Sequence, residues 1–166
     1  MTKSILRKYA KLIVQMGVNI KKGQGAVILA DTAQSEIALM VAEEAYRAGA
    51  KWVDIRWTNQ DLDKMRYKKE SVKVLSATQE WEKARMQYEL DELPVRIWID
   101  SDDPDGLKGV NVEKMQKANL ARMKVRKPYR DAMENKYQWT IVAVPSAKWA
   151  KKVFPDLAES EAMDKL

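Results

Sequence analysis

Ala26-Val27-Ile28-Leu29-Ala30-Asp31-Thr32 is the stretch that decides the fold. Its apolar run is too short for a helix and is preceded by Gly23-Gln24-Gly25, so it reads as a strand buried on both faces, as parallel-sheet strands are. Asp31 or Thr32 caps the helix that follows, whose apolar stripe is Ile37, Met40, Val41 and Ala45. Gly49 stands where a left-handed C-cap is wanted. Lys51 to Trp57 alternates and forms the next strand. The result is a βαβ unit, a crossover that is right-handed in ~98% of cases.

Upstream, Ser4 to Ile20 carries Ile5, Leu6, Tyr9, Leu12, Ile13 and Met16 at helical spacing. Downstream, the pattern predicts a helix from Asn59 to Leu75. A second is opened by Ser76-Ala77-Thr78-Gln79, whose first and last residues match a capping box. Pro94–Ile99 and Gln138–Val144 are further strands. A helix from Asn111 to Lys127 lies between them, and Pro128 restarts or kinks it. A short helix begins near Ser146 and carries Trp149 and Val153. Asp156 caps a last helix with Glu159 at N3 and the stripe Leu157, Ala158, Ala162, Met163 and Leu166. That helix lacks a C-cap signal, so the chain reads as interrupted there, with part of the stripe meant for a further domain. The expected fold class is α/β, Rossmann-like: one three-layer domain over residues 1–166 with a mostly parallel sheet of about four or more strands.

Composition narrows the chemistry. Hydrophobic residues are 46% and charged residues 33% of the 166, with 6 Gly and 5 Pro, which excludes disordered and low-complexity classes. The chain has no Cys and no His, which removes disulfides, thiolate nucleophiles, imidazole bases and the usual zinc ligands. No window is apolar enough for a membrane span, and charges interrupt Met1 to Lys8, so a cytoplasmic location is expected. Net charge is +6 and permits attraction to polyanions without requiring it.

Three apparent motifs lack the residues their chemistry needs. Ser101-Asp102-Asp103-Pro104-Asp105-Gly106 resembles a calcium loop, but Ser101 and Val112 occupy the first and last ligand positions, so it reads as a turn. The strand-to-helix turn Ala30 to Ser35 holds no glycine, and Gly23-Gln24-Gly25 precedes its strand, so no dinucleotide fingerprint exists. Lys114, Lys117, Arg122, Lys124, Arg126 and Lys127 share one helix. They fall on several faces without interleaved aromatics, which argues for a solvated surface over a nucleic-acid stripe. No residue is expected to be catalytic or to bind metal. Loops at the carboxyl ends of parallel strands are the usual ligand face, which makes Asp31, Thr58, Asp102, Asp103 and Pro145 the candidate cavity-facing residues.

Several segments together resemble the opening of the thermophilic-type metalloaminopeptidases. They are Tyr9 to Val14, Gly17-Val18-Asn19, Glu43-Glu44-Ala45-Tyr46, Ala48 to Lys51, Ser101 to Gly109, Lys127-Pro128-Tyr129-Arg130, and Trp149-Ala150-Lys151-Lys152-Val153-Phe154-Pro155. The turn Asp31 to Ser35 departs from the family's more apolar, Pro- and Glu-containing version. The resemblance implies the amino-terminal domain of a longer, two-domain enzyme that removes amino-terminal residues from short peptides. It also implies two divalent metal ions, of zinc or cobalt type, held by His, Glu and Asp of a carboxyl-terminal domain absent from this chain. On that reading the 166 residues cap the catalytic cavity, are inactive alone, need no cofactor of their own, and belong to a parent homodimer. The alternative is a stand-alone α/β binding module for an acidic partner or nucleic acid.

Overall fold

The computed structural model describes residues 2–166. In chain order its elements are α1 (Lys3–Leu12), β1 (Gly25–Asp31), α2 (Ser35–Arg47), β2 (Trp52–Thr58), α3 (Gln60–Lys69), α4 (Val72–Ser76), α5 (Glu80–Glu92), β3 (Val95–Asp100), α6 (Val112–Met133), β4 (Trp139–Ala143), α7 (Ala147–Val153) and α8 (Glu159–Lys165). The four strands form one parallel sheet in the order β2-β1-β3-β4, the α/β fold the patterning predicts. Ile28 lies opposite Ile55 on one side and Ile97 on the other, and Ile97 lies opposite Thr140. The chain leaves β1 toward β2 on one side and leaves β3 toward β4 on the other, which makes the junction between the adjacent strands β1 and β3 a topological switch point.

The chain divides into two compact units. The first runs through Asn59 and adds Pro94–Asp105 and Gln138–Leu166, so it holds the whole sheet. Its core sets Ala26, Ile28, Ala30, Val95 and Ile97 of the sheet against Ile37, Val41 and Ala45 of α2, with Ala10, Ile13 and Val14 from the amino-terminal helix. Edge strand β4 is far more open: Trp139 is 59% and Ile141 60% exposed. The second unit, Gln60–Leu93 with Gly106–Tyr137, is helical, and α6 packs on α4 and α5 within it.

Five helix boundaries differ from the sequence reading. The first helix leaves α geometry at Leu12 and finishes as a π-turn, Ile13–Gly17. The stretch from Asn59 to Leu75 is two helices, because the Ser71 hydroxyl accepts the Val74 N–H at 3.3 Å and starts α4 anew. Ser76 ends α4 instead of opening α5, whose start is fixed by the Glu82 carboxylate accepting the Gln79 N–H at 2.9 Å. The last helix begins after Asp156, where Glu161 accepts the Ala158 N–H at 3.3 Å. At Pro128 the helix does not restart; α6 continues through it to Met133. The final stripe is partly used within its own unit: α8 packs on α7 and Ala162 is fully buried, while Leu166 stays 37% exposed.

Gly25 is required by close approach. It lies opposite Trp52 in the sheet, and a Cβ there would fall within the Trp52 indole. Gly25→Ala is therefore expected to cost about 1–3 kcal/mol by overpacking, read as a lower urea midpoint at unchanged slope. A loss below ~0.5 kcal/mol, the range of ordinary surface changes, would show that the indole simply moves aside.

Candidate functional site

At the switch point, the carboxyl ends of the strands open into a cleft of about 270 Å³. Leu29, Trp98 and Ile141 give it an apolar wall, while Thr58, Asp100 and Asp102 supply its polar groups. Strand geometry explains the grouping. Leu29 pairs with Trp98, and Trp98 with Ile141, so their side chains share one face of the sheet. Trp98 also meets Trp139 edge to face, with ring centroids 6.5 Å apart at 84°. The Asp100 carboxylate accepts the Asp102 N–H at 3.4 Å and shapes the turn that leaves β3.

The acidic loop is tied to α7 by charge. Lys148 Nζ lies 3.8 Å from Asp103, and Lys152 Nζ donates to Asp105 at 2.6 Å. Asp103 accepts the Asp105 N–H at 2.9 Å, the side-chain-to-backbone bond of an Asx turn. The hydrogen bond to Asp105 raises the Lys152 ammonium above its ordinary value. These lysines and backbone bonds tie the Asp-rich loop to α7 and to its own turn.

The candidate residues thus fall in different places. Thr58 and Asp102 line the switch-point cleft. Asp31 accepts the Ala33 N–H at 2.8 Å and caps the 3-10 turn Thr32–Gln34. Asp103 braces its own loop. Pro145 lines a second cleft, of about 540 Å³, with Tyr9 and Leu12 of α1 and Met163 of α8. Its carbonyl accepts from Gln34 Nε2 at 3.4 Å. Asp100, Trp98 and Ile141 escaped the sequence reading. Asp100 ends its strand and the carboxyl-end rule reaches it, but strand β3 reads as stopping at Ile99. Among the described residues, no group of three or more Asp, Glu, His or Cys is placed to hold a metal ion. The cleft can bind through apolar contact and accept hydrogen bonds.

Residues 2–166 match the thermophilic metalloprotease (M29) family. Aminopeptidase PepS of Streptococcus thermophilus is 34% identical over 166 residues, 99% of this chain and 40% of that protein. Aminopeptidase AmpS of Bacillus subtilis is 33% identical over 159 residues, covering 95% and 39% respectively. The structure of wild-type AmpT from Thermus thermophilus superposes with a TM-score of 0.87 at 31% identity, over 99% of this chain and 42% of that one. The chain spans about two-fifths of the length of these relatives.

Proposed function

The chain belongs to the thermophilic metalloprotease (M29) family, and on that basis we propose that it serves as the amino-terminal domain of a cytoplasmic, homodimeric metalloaminopeptidase acting on short peptides. The observation that carries this reading is a match that runs along the whole chain yet covers only about two-fifths of each relative. Divalent ions of zinc or cobalt type, bound in a further domain, would polarise the scissile carbonyl and acidify the attacking water. The residues present here do not fit such a site: neither His nor Cys occurs, and the described carboxylates form no ligand group. No catalytic step is therefore routed through this chain.

Its own contribution is a wall. Thr58, Asp100 and Asp102, with the apolar surface of Trp98 and Ile141, offer a peptide chain hydrogen-bond acceptors beside a hydrophobic strip. Asp31, Asp103 and Pro145 complete the loops proposed to face the cavity. The test is a chimera in which these residues replace the matching segment of aminopeptidase PepS. It should fold and hydrolyse amino-acid p-nitroanilides. A folded, metal-loaded chimera that forms the parent's oligomer and is inert would sink the reading.

A further inference from the structure

The helical unit contains a third cleft, of about 190 Å³, floored by Leu75 and Ala118 and rimmed by Arg66, Arg122, Arg126, Tyr67, Asn119 and Asp63. Three guanidiniums against one carboxylate make its lining cationic. Their partners are unequal. Arg66 is held by Glu70 through both Nε, at 2.9 Å, and Nη2, at 3.4 Å. Arg122 donates to the Ala77 carbonyl at 2.7 Å and to Glu82. Among the described residues, Arg126 reaches only the Glu82 oxygen that Arg122 already engages, and from 3.6 Å, while 52% of its side chain stays exposed. Burial, then the neighbouring Arg122, pulls the Arg126 guanidinium below its ordinary value, and Arg85 adds to the repulsion while Glu82 opposes it. One carboxylate thus serves two guanidiniums.

A guanidinium with donors to spare, beside a second one locked in place, matches the paired oxygens of a carboxylate or phosphate. Asn119 extends the match. Tyr67 donates to Asn119 Oδ1 at 3.3 Å, which commits the amide oxygen and leaves its nitrogen as a donor. We propose that this cleft binds a small oxyanion, either a carboxylate or a phosphoryl group, held by Arg126 with Arg122 and the Asn119 amide. Asp63, on the opposite helix, restricts the anion to the α6 side of the cleft. The inference is independent of the peptidase reading, since it rests on the helical unit alone.

Two-dimensional amide spectra of the full 166-residue chain, titrated separately with inorganic phosphate and with acetate, test this. Saturable shifts should centre on the amides of Tyr67, Ala118, Asn119 and Arg126. Saturation by phosphate alone identifies a phosphoryl ligand, saturation by acetate alone a carboxylate, and saturation by both a site that accepts either oxyanion. Arg126→Gln should weaken binding at least about tenfold, the worth of one lost charge-assisted pair. Asn119→Asp, an exposed change that leaves the arginines in place, should also weaken it by placing a charge against the anion. Absence of saturable shifts with both anions, or undiminished affinity in either folded variant, would overturn the proposal.

Discussion

Ile97→Ala is expected to lower the unfolding free energy by about 3–5 kcal/mol. Ile97 is fully buried at the centre of β3, with β1 on one side and β4 on the other. Its neighbours in register are Ile28 and Thr140, whose backbones are fixed by the sheet and cannot close on a missing side chain. The loss therefore includes both the transfer of the removed carbons and most of the cavity left behind. Against a typical total of 5–15 kcal/mol, such a loss leaves the sheet unit marginal. Ile141→Ala, on the exposed edge, should cost less than about 1 kcal/mol and serves as the control. Equal losses at the two positions in urea unfolding would mean that Ile97 does not sit at the centre of the sheet unit's core.

Glu82→Gln should destabilise the helical unit by about 1–3 kcal/mol, because it keeps the shape and removes the charge that separates Arg122 from Arg126. Glu82 is buried, and burial alone would raise its pKa. The Gln79 N–H, the Arg122 guanidinium and the charge of Arg126 outweigh that and hold it below the ordinary value of 4.5. The sign follows from linkage. The folded pKa is depressed, so the contribution is fully present above the unfolded value and is lost as pH falls through the folded one. The stability gap between the parent chain and Glu82→Gln should be widest near neutral pH and shrink below pH 4.5. A gap that is constant from neutral pH to well below that value would show that the carboxylate charge has no part in it.

The sheet was legible because its signals are local. Ala26 to Ala30 is bounded by glycine before and a capping residue after, and the stripe from Ile37 to Ala45 needs only its own spacing. The helical unit was less so. Lys68-Lys69-Glu70-Ser71 carries no glycine or proline, and the new start is marked by the Ser71 hydroxyl capping α4. Pro128 gives a strong local stop signal, yet α6 continues through it on the support of the helices it packs against. The cleft was half legible. Thr58 and Asp102 follow from the carboxyl-end rule, but Trp98 and Ile141 join it through the register of β3 and β4, a non-local fact that no window of sequence carries. The pairing of Arg122 with Glu82 spans 40 positions and is equally invisible in one dimension.

That the hydrolytic machinery lies outside these residues is tested most directly by assaying the purified 166-residue chain on amino-acid p-nitroanilides with zinc or cobalt supplied. The predicted result is no turnover above the metal-containing buffer, since no imidazole, thiolate or clustered carboxylate set among the described residues can hold the ions. Turnover that copurifies with the chain to constant specific activity and disappears on chelation would contradict it.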